Sequence, residues 1–212
     1  MFLFARNTSS YEGRSNVSYH IYTTPAIILE SFAVGESSRL FRLFTKEFGI
    51  LFARAQGVRE LRSKQRYHLS DLSLVRIELI RGKEIWRITS AEAAVSFPRI
   101  MTNELKRKTI VAVLILLKKL FVGESAPNGI FDDMVEGMVF LEANDLSKDN
   151  LRDLEILFVA KILYHLGYWE AHSSDDHFFT GDVWREDTLA FIHPLRRELV
   201  ARINQAINAA HL

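Results

Sequence analysis

The chain has 212 residues, 48% of them hydrophobic and 25% charged, with no cysteine and a formal net charge of +1. Such a composition excludes a disordered chain and supports one large domain or two small ones around a buried core. The missing cysteine excludes disulfides, thiolate metal sites and cysteine nucleophiles together, and it agrees with a reducing cytoplasm.

In chain order, residues 1–18 are polar after the first few and read as a mobile, dispensable tail. A β-rich stretch starts at residue 19, with Pro25 at an edge or strand start and Ala26-Ile27-Ile28-Leu29 behind it. Residues 34–38 are a turn. Residues 39–45 form a strand with Arg39, Phe41 and Leu43 on one face and Leu40, Arg42 and Phe44 on the other. A turn at residues 47–49 leads into a strand over residues 50–56. Residues 57–66 are an intensely basic loop carrying Arg59, Arg62, Lys64 and Arg66 just after Arg54, with only Glu60 opposing them. Residues 74–80 alternate cleanly, residues 81–83 read as a tight hairpin turn, and Trp86 lies in the return strand.

After Ala91 the pattern turns helical. One long helix is expected from Pro98 to residue 122, ending at Gly123 with Pro127 beyond, and a second over residues 131–143. A third, over residues 151–166, can be capped by Asp149 or Asn150 and stops at Gly167; it is apolar nearly all round and should be the centre of a bundle. Residues 171–187 read as a polar loop, and Pro194 should open a last helix reaching about Ala209. Strands first and helices second make an α+β arrangement.

The net charge hides an asymmetry. Residues 1–96 hold 14 Lys+Arg against 9 Asp+Glu, and the remainder 13 against 17. The basic half suits a polyanion. Its cations are interleaved with Phe41, Phe52, Tyr67 and Trp86, an arrangement that serves base stacking on single strands; Phe41 and Phe52 fit better as barrel core. The apolar run over residues 109–117 is about half of a membrane span, and the N-terminus lacks the basic start of a signal peptide.

Chemistry is sparse. His172, Asp175, Asp176 and His177 are the one cluster of metal-ligand types, expected to be a solvated loop and not a zinc site. Asp132, Asp133 and Glu136 share a helix face and are read as serving its N-terminus. There is no phosphate loop, nucleophile elbow or zincin motif, so no metal, cofactor or catalytic group is expected.

Several stretches resemble the RecO family of bacterial recombination mediators in order and spacing. They are Thr24-Pro25-Ala26-Ile27-Ile28-Leu29, Gly35-Glu36-Ser37-Ser38-Arg39-Leu40, Phe44-Thr45-Lys46-Glu47-Phe48-Gly49, Ala53-Arg54-Ala55-Gln56-Gly57-Val58-Arg59 and Ser63-Lys64. In the helical half, Leu163-Tyr164-His165-Leu166-Gly167-Tyr168 resembles the family's Leu-Leu-x-x-Leu-Gly-Tyr. The resemblance implies a five-stranded OB-fold over residues 19–96, a helical domain over residues 97–212, and no enzymatic turnover. It implies binding of single- and double-stranded DNA, annealing of complementary strands, and exchange of single-strand-binding protein for RecA together with RecR and often RecF, in a bacterial cytoplasm at the nucleoid. Many members carry a four-cysteine zinc module after the Leu-Gly-Tyr helix; this chain has no cysteine and a polar loop there, and so reads as a short form.

On this reading Arg39, Arg42, Lys46, Arg54, Arg59, Arg62, Lys64, Arg66, Arg81 and Lys83 are the candidate phosphate contacts, and Tyr67 and Trp86 the candidate stacking residues. Arg107, Lys118, Lys119 and Lys161 are candidates for meeting an acidic protein tail. Two other readings stay open: an RNA-binding OB module, because phosphate contacts do not sense the sugar, and a scaffold whose basic loop meets an acidic protein.

Overall fold

The computed structural model describes residues 20–56, 69–121, 123, 127–169 and 176–210. Five strands, β1 (Ile21–Val34), β2 (Ser38–Thr45), β3 (Gly49–Ala55), β4 (Leu74–Arg81) and β5 (Trp86–Val95), close into a barrel in the order β1-β2-β3-β5-β4. β1 is long because it serves two partners. Its first half runs antiparallel to β4, from Ile21↔Ile80 to Ile27↔Leu74, and its second half antiparallel to β2, from Ala26↔Thr45 to Val34↔Ser38. A bulge between Ile28 and Glu30 lets the strand bend between them. A short parallel contact of β3 with β5, at Ala53↔Trp86 and Arg54↔Arg87, closes the barrel. This is the expected five-stranded OB-fold, followed by helices.

Alternation along the strands fills the interior. Ala26, Ile28, Phe41, Leu43, Leu51, Ala53, Val75, Ile77 and Leu79 form one buried cluster with Trp86 and Ile88. The unbroken apolar run Ala26-Ile27-Ile28-Leu29 reflects burial on both faces. Ile27 and Leu29, with Phe44, Leu72 and Leu74, join a second cluster shared with the helices. There the Phe44 ring meets those of Phe121 and Phe131 at centroid distances of 6.0 and 5.4 Å. Gly49 begins β3 at φ +64°, and a Cβ there would lie 2.8 Å from the Phe121 ring; only glycine meets both constraints.

The helices are α1 (Pro98–Thr102), α2 (Glu104–Leu120), α3 (Ile130–Ala143), α4 (Lys148–His165), α5 (Asp176–Phe179) and α6 (Glu186–Ala209). Residues 156–163 of α4 are all buried, so this helix is the centre of the bundle as expected.

The structure corrects several boundaries. β5 runs on to Val95, because residues 91–95 pair with β4 and pairing outweighs the helical preference of Ala and Glu. The β4–β5 connection is residues 82–85, longer than a tight hairpin. The long helix breaks at Asn103, whose side chain accepts from the backbone N–H groups of Leu105 and Lys106 and starts α2. Ser147 caps α4 in place of Asp149 or Asn150. Within residues 171–187, Phe178, Val183 and Trp184 are buried, with Trp184 packed on Phe158 at 4.7 Å. Pro194 lies inside α6 and does not open it: the buried stripe Leu189, Ile192, Leu199 and Ile203 runs through the proline, so packing outweighs the missing N–H.

Candidate nucleic-acid interface

The helices cover one end of the outer barrel surface, around Ile27, Phe44 and Ile50. Among the described residues, the helices do not cover the remainder of the β2–β3–β5 outer face. Its residues are set by alternation. In β3, Leu51, Ala53 and Ala55 turn inward, which turns Phe52 and Arg54 outward. The register places Phe52 opposite Arg42 and Arg54 opposite Leu40, with Arg87 of β5 beside Arg54.

The cations differ in how their charge is met. Arg42 donates to Glu30 at 3.1 Å, and Lys118 of α2 donates to the same carboxylate at 3.2 Å, so one acid answers two bases. Burial pushes the Glu30 carboxyl up, but hydrogen bonds from Arg42 and Lys118 outweigh it and hold the group below its ordinary value. Arg39, Arg54 and Arg87 meet only neutral acceptors among the described residues: Ser31 Oγ at 2.7 Å, Ser38 Oγ at 3.2 Å and Gln56 Oε1 at 3.4 Å. The Nε groups of Arg39, Arg42 and Arg54 are buried and have no acceptor among the described residues. Arg39, Arg54 and Arg87 thus meet no carboxylate among the described residues and keep their charge for an anion. Lys46 is paired with Asp132 of α3 at 2.8 Å and Lys83 is exposed.

Two aromatic assignments reverse. Trp86 is 4% exposed, packed against Tyr22 and Phe48 at 5.5 and 5.3 Å, with the Arg81 guanidinium 5.5 Å from its ring centroid. It is barrel core and not a stacking surface, because strand parity turns it inward as it turns Arg87 outward. Phe41 is core as expected, but Phe52 is 42% exposed, its ring beneath the Arg42 guanidinium at 5.5 Å. The signal was readable: Phe52 shares parity with Arg54, and small alanines hold the opposite parity. Beside Phe52 an open groove of about 400 Å³ is lined by Leu40, Ile50, Leu51, Glu84, Ile85 and Trp86. It exists because β3 and β5 touch only at Ala53 and Arg54.

The basic-loop residues Arg59, Arg62, Lys64, Arg66 and Tyr67 lie outside the described residues, as do the tail and the His172 and Asp175 positions. Of the helical cations, Lys119 is exposed and Arg107 donates to the Met101 carbonyl at 2.7 Å. Lys118 is engaged with Glu30, as above. Lys161 is buried and bonded to Asp133 at 3.1 Å, which removes it as a surface contact. Asp133 therefore serves that pairing as well as the start of α3. Among the described residues there is no group of three or more His, Asp or Glu able to hold a metal, and no helix long and apolar enough to cross a membrane.

Residues 19–97 match the family described as recombination protein O N terminal. The chain is 25% identical to the DNA repair protein RecO of Desulfitobacterium hafniense over 148 residues, covering 70% of this chain and 52% of that protein. It is 26% identical to RecO of Trichodesmium erythraeum over 147 residues, 69% and 51% of the two chains. It is 33% identical to RecO of Dehalococcoides mccartyi over 109 residues, 51% and 43%. The chain spans about half the length of the curated relatives it matches.

Proposed function

We propose, from the match of residues 19–97 to the recombination protein O N-terminal family, that the chain binds DNA on the β2–β3–β5 face and acts in DNA repair and recombination. The observation that carries the reading is the pair Arg54 and Arg87 on that face, with Arg39 at the end of β2 on the Phe41 side; their guanidinium groups meet only neutral acceptors among the described residues. Sequence-independent phosphate contacts suit such groups. The loop cations Arg59, Arg62, Lys64 and Arg66, which follow β3 in the sequence, are part of this proposal, and Arg42, Lys46, Arg81 and Lys83 contribute to it. Residues 19–96 are the nucleic-acid-binding unit of this proposal and residues 97–212 its helical partner. From the family resemblance, the reading extends to annealing of complementary strands and exchange of single-strand-binding protein for RecA with RecR and RecF. No enzymatic turnover is part of it. On the helical side, Arg107 and Lys119 are the cations left to meet an acidic protein segment.

The test is the salt dependence of binding. Each phosphate contact to a single strand contributes a slope of about −0.7 in log affinity against log salt. The triple variant Arg39→Gln/Arg54→Gln/Arg87→Gln should flatten the slope by about two units and weaken binding for every sequence alike. A folded triple variant with the parental affinity and slope would falsify the reading. Competition among single-stranded DNA, RNA and an acidic peptide separates it from the RNA-binding and scaffold readings.

A further inference from the structure

Resting on the nucleic-acid reading above, we infer that Phe52 is a base-stacking platform and that the groove beside it seats one unpaired base, so that this face selects single strands over duplex. Phe52 stands in mid-strand, 42% exposed, where neither core cluster uses it. Its neighbours are cations: Arg42 lies across the ring at 5.5 Å, and Arg54 follows two positions on along the same outer face. An aromatic ring held among arginines accepts a base by stacking while the arginines take the phosphates on either side.

The groove supplies the second half of the argument. It has a volume of about 400 Å³ and walls from Leu40, Ile50, Ile85 and Trp86, within the size range of small-molecule sites. The one charged residue in its lining is Glu84. A carboxylate repels phosphate, so the groove admits the neutral base and leaves the backbone on the Arg54–Arg87 side. Glu84 is also an acceptor for a base's exocyclic amine. Paired and stacked bases of a duplex do not present a free face to Phe52, so the contact is made by single strands alone.

The test uses the full chain with the single substitution Phe52→Ala. Thermal melting should be unchanged, because the side chain is exposed. Affinity for an unstructured single-stranded oligonucleotide should fall about 5- to 150-fold at an unchanged salt slope, while duplex affinity stays put. The variant Phe52→Trp should keep single-strand affinity, and its fluorescence should be quenched by the oligonucleotide and not by duplex. The quenching is read as the difference from the parental protein, because Trp86 lines the same groove. Parental single-strand affinity in folded Phe52→Ala, with the triple arginine variant weakened, would overturn this inference and leave the DNA-binding reading standing. Parental affinity in both variants would overturn both. Equal loss on single strands and duplex would overturn the selectivity. If Phe52→Ala unfolds, the quenching of Phe52→Trp decides: no quenching overturns the platform.

Discussion

Asp133 is half-buried between two bases, Lys161 at 3.1 Å and His165 at 2.5 Å. Burial raises its pKa, but the hydrogen bond from His165 and the charge of Lys161 outweigh it and hold the carboxyl below its ordinary value of 3.8. A depressed carboxyl contributes its stability fully above the unfolded-state value and loses it as pH falls through the folded one. Asp133→Ala should therefore cost about 3–5 kcal/mol at neutral pH, because it strands Lys161 buried and unpaired. Urea unfolding at pH 7 measures the cost, and the stability of the parent should fall more steeply below pH 3.8 than that of the variant. None of this was legible beforehand. A lysine in sequence reads as surface, and its partner lies on a different helix, so only packing brings the two together. Phe52 is the opposite case: its parity with Arg54 is a local property of the chain, set by the alternation of β3.

At the scale of elements, the break between α1 and α2 shows a helix end set from a distance. Asn103 caps α2 by accepting from Leu105 and Lys106 at 3.0 and 3.1 Å. The five-residue α1 has no side-chain cap of its own; instead Glu142 of α3 accepts from the backbone N–H groups of Arg99 and Ile100 at 2.8 and 2.9 Å. The capping asparagine is visible in the sequence. The carboxylate that makes a separate first helix stable comes from about forty residues away and is not. Asn103→Ala should cost about 1 kcal/mol, read as a lowered denaturation midpoint with an unchanged m-value. The same contrast runs through the strands. Clean alternation marked β4, whereas the last residues of β5, rich in alanine and glutamate, look helical until β4 lies beside them.

For the whole molecule, the barrel and the helices share a core through Ile27, Leu29 and Phe44, and ion pairs Lys118–Glu30 and Lys46–Asp132 join the same two parts. We therefore expect one cooperative unfolding transition. Melts followed by far-ultraviolet circular dichroism and by tryptophan fluorescence should coincide, since Trp86 reports on the barrel and Trp169 and Trp184 on the helices. Phe44→Ala should lower both together by about 3–5 kcal/mol; separated transitions would show that the shared core does not couple the parts. The amino-acid sequence by itself determined the class of this protein. Alternation, glycine turns and a late helical period specify a barrel followed by helices, because these signals are local in the chain. Tertiary structure alone decided which cations meet a carboxylate among the described residues and which lysines are buried. Those properties depend on partners far apart in sequence: Glu30 with Lys118, Asp133 with Lys161, and β3 with β5. The pairing of a charge is a property of neighbours in space, and a chain read residue by residue does not contain them.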